Sequence, residues 1–171
     1  MTKKTGDLQW RILHGAVAVN AFTSIINPEI NVGCPFCTER ETIFHTFVNC
    51  ARLESLFLCL GSIFKNCNES FSMVLFVFGC KYVRKKRFIC QLLNFILGQA
   101  KLAIYVSRKK KMEQNLEPNV VTLFSNMVQA RILIDFRYYK HMDDLAAFEE
   151  IWCYNEALCS VFEGDLVFTR L

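Results

Sequence analysis

The chain has 171 residues, 53% of them hydrophobic and 13% aromatic, with a formal net charge of +4. That is one domain of ordinary size with enough apolar material for a packed core, which excludes an intrinsically disordered chain. Three prolines and seven glycines supply little turn chemistry for an all-β fold and favour a mainly α one.

Residues 8–26 read as a first helix, with Trp10, Leu13, Val17 and Ala21 on one side and Asn27–Pro28 as its stop. Lys3 and Lys4 precede an apolar stretch, but Asp7, Gln9, Arg11 and His14 interrupt the pattern a secretory leader needs. Thr38 with Glu41 has capping-box spacing and predicts a helix over about 39–48. Leu53–Phe64 is a short amphipathic helix, and Met73–Phe78 is an apolar run that periodicity leaves open between a strand and a buried helix end.

A long helix then runs to about Met112, with lysines at its end, where cations meet the negative pole of the macrodipole. Glu117–Pro118 breaks it, and a further helix spans about 119–141. Asp143 is the expected N-cap of a last helix to about Phe162, closed by a turn at Gly164–Asp165. The expected architecture is a small helical domain with a Cys/His loop near its N-terminus that binds a stabilising metal through Cys34, Cys37, His45 and Cys50. That zinc-binding helical segment, 1–70, packs with a basic helical segment, 71–171, as one domain. The most apolar stretch, Phe88–Val106, contains Gln91, Asn94, Gln99 and Lys101 and makes a poor membrane span.

Charge is segregated along the chain. Residues 1–80 carry six basic and six acidic side chains, 81–111 carry ten basic and no acidic ones, and 141–165 carry seven acids and no Lys or Arg. Either the two runs neutralise each other across the fold, or the basic run is a phosphate-binding face. The basic residues are Lys81, Arg84, Lys85, Lys86, Arg87, Lys101, Arg108, Lys109, Lys110 and Lys111. Within the long helix, Gln91, Asn94, Gly98, Lys101, Tyr105 and Arg108 fall in one stripe. It is either a solvated edge or a cationic groove following a nucleic-acid backbone.

Of nine cysteines, six (Cys59, Cys67, Cys80, Cys90, Cys153, Cys159) lie among Leu, Phe and Val, as small buried hydrophobes in a reducing compartment do. The other three form, with one histidine, the strongest chemical signal: Cys34, Cys37, His45 and Cys50, spaced C-x2-C-x7-H-x4-C. Two cysteines separated by two residues bend round one ion from a tight turn, and a His and a Cys from a following helix complete a tetrahedron. Four protein ligands leave no open position for water, so the expected cofactor is one structural Zn2+.

Trp10-Arg11-Ile12-Leu13-His14-Gly15, the Cys34-Pro35-Phe36-Cys37 turn, Glu41-Thr42-Ile43-Phe44-His45 and Cys50 together resemble the reverse-transcriptase zinc-binding domain of LINE-type (non-LTR) retrotransposons. Similar, more weakly, are Lys101 with Ile104 and Arg108, Phe136-Arg137-Tyr138-Tyr139, Phe148, Trp152, Leu158-Cys159 and Gly164-Asp165-Leu166-Val167-Phe168. The resemblance implies a C-terminal module that assists template RNA or target DNA binding in target-primed reverse transcription. It also implies Cys34, Cys37, His45 and Cys50 as metal ligands. The basic residues are assigned to nucleic acid on charge alone. The alternative is a structural or protein-interaction module that docks on a polymerase core.

No catalytic residue is assigned. His141-Met142-Asp143-Asp144 lacks the aromatic and the strand setting of a polymerase metal-binding hairpin and reads as a helix start. The expected partners are nucleic acid and the polymerase core of the same element, in a reducing nuclear or cytoplasmic setting, with no membrane and no small-molecule substrate.

Overall fold

The computed structural model describes residues 3–81 and 84–169, apart from the Lys85 side chain. The fold is mainly α. In chain order come α1 (Lys3–Leu13), α2 (Asn20–Ile26), α3 (Glu54–Asn66), α4 (Met73–Phe78), α5 (Arg87–Gln114), α6 (Val120–His141) and α7 (Leu145–Trp152). A two-stranded antiparallel sheet of β1 (Cys159–Phe162) and β2 (Asp165–Phe168) ends the described chain.

Apolar spacing explains the core. Leu56, Leu60, Ile63 and Phe64 of α3 are fully buried at helical intervals, as are Phe124, Val128 and Ile132 of α6. The long α5 contributes Leu93, Ile96, Leu97, Ala100, Ala103 and Ile104 and packs against α1, α6 and α7. Each large side chain so buried contributes about 1.5–3 kcal/mol. Residues of the first 70 positions, Leu8, Val17 and Phe47 among them, share this core with α5 and α6. Gly98 lets α1 approach α5 closely: a Cβ there would meet the Thr5 Cβ at 3.2 Å. Helix α5 is long and apolar enough to cross a membrane, but it is the central helix of this core.

Several elements depart from the sequence expectations. The first helix is two, because the chain turns at Gly15 (φ 68°) after α1 and restarts at Asn20. The run at 73–78 is a helix, N-capped by Ser72, whose Oγ accepts from the Leu75 N–H. Helix α6 has its cap at Asn119. Asp144, not Asp143, caps α7, accepting from the Ala147 N–H, while Asp143 takes a positive φ in the turn before it.

That last helix stops at Trp152, well short of Phe162. Asn155 and Glu156 adopt left-handed backbone that no α-helix continues through, and 159–168 form a hairpin instead. Its two-residue turn, Glu163–Gly164, has φ of 51° and 80°, the mirror-image turn whose twist suits paired strands. The Lys140 ammonium donates to the Gly164 carbonyl at 2.7 Å and holds this turn against the end of α6.

Candidate metal centre

The segment between α2 and α3 builds the site. Gly33 and Arg40 form an antiparallel bridge, the Cys34 N–H donates to the Glu39 carbonyl at 2.8 Å, and the Glu41 N–H donates to the Val32 carbonyl at 2.9 Å. Cys34 and Cys37 are carried on the tight loop so closed. The expected helix at 39–48 begins later. Thr42 is its N-cap, accepting from the His45 N–H at 3.0 Å, so neither Thr38 nor Glu41 serves a capping box.

Residues His45–Asn49 then form a π-helical turn, with the Cys50 N–H donating to the His45 carbonyl at 2.9 Å. In an α-helix residues five apart lie about 140° round the axis. The wider turn brings His45 and Cys50 nearer one face, where both serve the same site.

The sulfur atoms of Cys34, Cys37 and Cys50 and one His45 ring nitrogen all lie within 4.8 Å of one another, and Cys37 Sγ is 3.3 Å from His45 Nε2. A tetrahedral site for a zinc-sized dication has ligand-to-ligand edges of about 3.5–3.8 Å. The four donors fit that size with small contraction, and they could hold a metal ion. Burial first, and then the neighbouring thiols, push Cys34 up to about 12, while the Phe36 N–H opposes this; Cys50 is likewise raised by burial and opposed by the Arg52 N–H. Thiolates gathered in such a place need a cation to stay ionised.

Two residues that sequence reasoning missed hold the centre in the fold. Glu41 is 1% exposed and accepts from Arg108 Nε at 2.6 Å and from an Arg108 terminal nitrogen at 2.7 Å. It also accepts from the Asn20 N–H at 2.7 Å, and the Asn20 side-chain amide donates to the Gly33 carbonyl at 2.8 Å. One bidentate ion pair thus ties the metal loop, the start of α2 and the middle of the core. Arg52, which follows the last ligand, lays its guanidinium 3.3 Å from the centroid of the Phe36 ring and donates to Ser107 Oγ at 3.1 Å. Burial lowers its pKa, and the Cys50 and Cys34 thiols oppose that shift.

These contacts revise the polar stripe on α5: Gln91 at its start is exposed, but from Asn94 to Arg108 it is neither a solvated edge nor an open groove. Asn94 bonds both backbone polar groups of Cys80, Lys101 donates to Gln9 Oε1 and to the Val77 carbonyl, and Arg108 meets Glu41. It is a buried polar seam. Lys101 is 3% exposed and Arg108 9%, so neither reaches a phosphate, and the assignment of both to nucleic acid is withdrawn.

The other described basic residues reach the surface. Lys86 pairs with Glu69, Lys109 with Glu113 and Lys111 with Glu117. Lys81, Arg84, Arg87 and Lys110 have no ion-pair partner among the described residues, and the Lys85 side chain lies outside them. Among the described residues the acids of 141–165 pair with none of these; Asp165 pairs with Lys140. All nine cysteines are free thiols.

The fold and site together define a compact helical module with a Cys3His cluster fit for a metal ion. Along 165 residues, 96% of its length, the chain is 32% identical to the protein described as "Transposon TX1 uncharacterized 149 kDa protein" of Xenopus laevis. It is therefore related to a transposon-encoded protein, and it spans about 12% of that relative's length. No protein-family profile and no solved structure matches the chain.

Proposed function

We propose that the chain is a non-catalytic nucleic-acid-binding module of a LINE-type retrotransposon reverse transcriptase, organised round one structural zinc ion. The observation behind this reading is the convergence of Cys34, Cys37, His45 and Cys50 in a chain related to a transposon protein over nearly all its length. With four protein ligands the ion has no position left for a reacting water, so its work is to fold the loop. Phosphates are met by Lys81, Arg84, Lys85 and Lys86 ahead of α5 and Arg87 at its first position, and by Lys109, Lys110 and Lys111 towards its end.

Metal analysis of the purified chain should find one zinc, lost in His45→Ala. Binding to RNA or DNA should weaken with salt at a log–log slope of about −4, as neutralising four or five phosphates requires. A zinc-free chain that resists chelator would overturn the metal assignment. Absence of any gel shift at low salt would overturn the nucleic-acid role.

A second reading has its own support. Phe22, Ile25 and Ile26 lie together on α2 and are largely exposed, as are Phe44, Leu58 and Phe78. Such side chains suit contact with a polymerase core. Ile25→Glu should abolish co-purification with that core and leave zinc content unchanged.

A further inference from the structure

We infer that the cleft between α5, α6 and α7 receives an unpaired base of a single-stranded nucleic acid; this rests on the nucleic-acid reading above and names the strand and the site. The cleft measures about 800 Å³ and is walled by Phe88, Phe95, Tyr139 and Trp152. Phe88, Phe95 and Tyr139, from two helices, make a stacking surface backed by the buried Trp152, and stacking accepts any base because every base has a π-face.

Polar capacity is left over at the same place. The Gln91 amide and the Tyr139 hydroxyl make no hydrogen bond among the described residues. Arg131 uses its Nε on Asp135 at 3.1 Å, leaving its terminal N–H groups. An amide, a hydroxyl and a guanidinium supply donors and an acceptor for a base edge, and an apolar side chain from a protein would leave them unanswered.

The cations stand at the N-terminal end of the helix that carries the cleft. Phe88, Gln91 and Phe95 recur at intervals of three and four along α5, Arg87 is one turn before Gln91, and Arg84 lies on the short turn that leads into the helix. Arg84 and Arg87 are exposed and without ion-pair partners among the described residues. A strand whose phosphates cross these arginines delivers a base to the aromatic walls. In a duplex the bases are paired and stacked out of reach.

The test uses the zinc-loaded full chain and fluorescence anisotropy with three probes of equal length: a single-stranded oligonucleotide, its duplex, and an abasic strand with the same phosphates. The single strand should bind at least about tenfold tighter than the abasic strand, as one or two stacked bases require. Tyr139→Ala with Gln91→Ala should remove that preference and leave abasic binding unchanged, whereas Arg84→Glu with Arg87→Glu should weaken all three. A second readout is Trp152 fluorescence in a Trp10→Phe background, which should be quenched by the single strand and not by the abasic one. Equal binding of all three probes, sensitive to the arginines, would overturn the base site and leave the nucleic-acid role standing. Binding of none would overturn both.

Discussion

The metal loop and the helical body are held by different forces. Around Cys34–Cys50 the apolar anchorage is small, chiefly Phe47, and the other stabilising contacts are polar and few: four candidate ligands, the bidentate Glu41–Arg108 pair, Asn20, and Arg52 over Phe36. In the body they are apolar and many, with α3, α5 and α6 meeting through Leu60, Ile96, Phe124 and Ile132, all fully buried. A core of aliphatic and aromatic groups tolerates loss of one contact in part, because neighbours relax. A site in which each donor is unique does not. The loop is the brittle half of the molecule, and the body the graded half.

The largest effect separates them directly. Chelating the metal, or Cys50→Ser, should remove a binding free energy of about 10–16 kcal/mol. Hydrogen exchange should show the amides of 31–50 losing protection, while far-UV circular dichroism keeps the signal of α5 and α6. Collapse of all helical signal would mean that the two regions fold as one unit.

Next come two changes of similar size and different pattern. Phe124→Ala should cost about 3–5 kcal/mol in chemical denaturation with zinc content unchanged. Glu41→Leu should cost about as much by leaving the Arg108 charge buried and alone. Adding Arg108→Leu to Glu41→Leu should recover much of that loss, since a buried pair replaced whole by apolar groups is near neutral. No recovery would mean that the pair acts through the metal loop's geometry and not through charge.

Lys101 gives a pH test. Burial lowers its ammonium from the ordinary 10.5 to about 8, and among the described residues no carboxylate faces it; its partners are Gln9 Oε1, the Val77 carbonyl and the Phe76 ring. Between those two pH values the unfolded chain binds the proton and the folded chain does not, so this group makes stability rise with pH. The penalty is present in full below about pH 8 and is relieved as pH climbs towards 10.5. Lys101→Met should flatten the rise, a difference approaching about 3 kcal/mol over the whole window. Comparing the two proteins between pH 7.5 and 9.5 cancels the thiols they share. The smallest effect belongs to the exposed Arg11–Asp7 pair on α1: Asp7→Asn should shift stability by less than about 0.5 kcal/mol.

Much of the candidate site was legible in the chain order because it is local. The ligands fall within seventeen positions (34 to 50), and donor identity plus spacing nearly specify a tetrahedral cage. Helices with long apolar periodicity, α3, α5 and α6, were legible for the same reason. The hairpin was not: four-residue strands such as Cys159–Phe162 carry too little pattern to outweigh a preceding helix, and of the two left-handed residues only Asn155 is of a type that favours that backbone, while Glu156 gives no mark.

Composition and local spacing by themselves determined the helical class, the metal cluster and the segregation of charge. Only the tertiary structure decided which cations are free. Lys101 and Arg108 look no different in sequence from Lys81 and Arg87, yet the first two are sealed into a seam by residues 92 and 67 positions away. Helical periodicity marks a polar stripe as special but carries no information about what faces it, because that depends on loop closure and packing far along the chain.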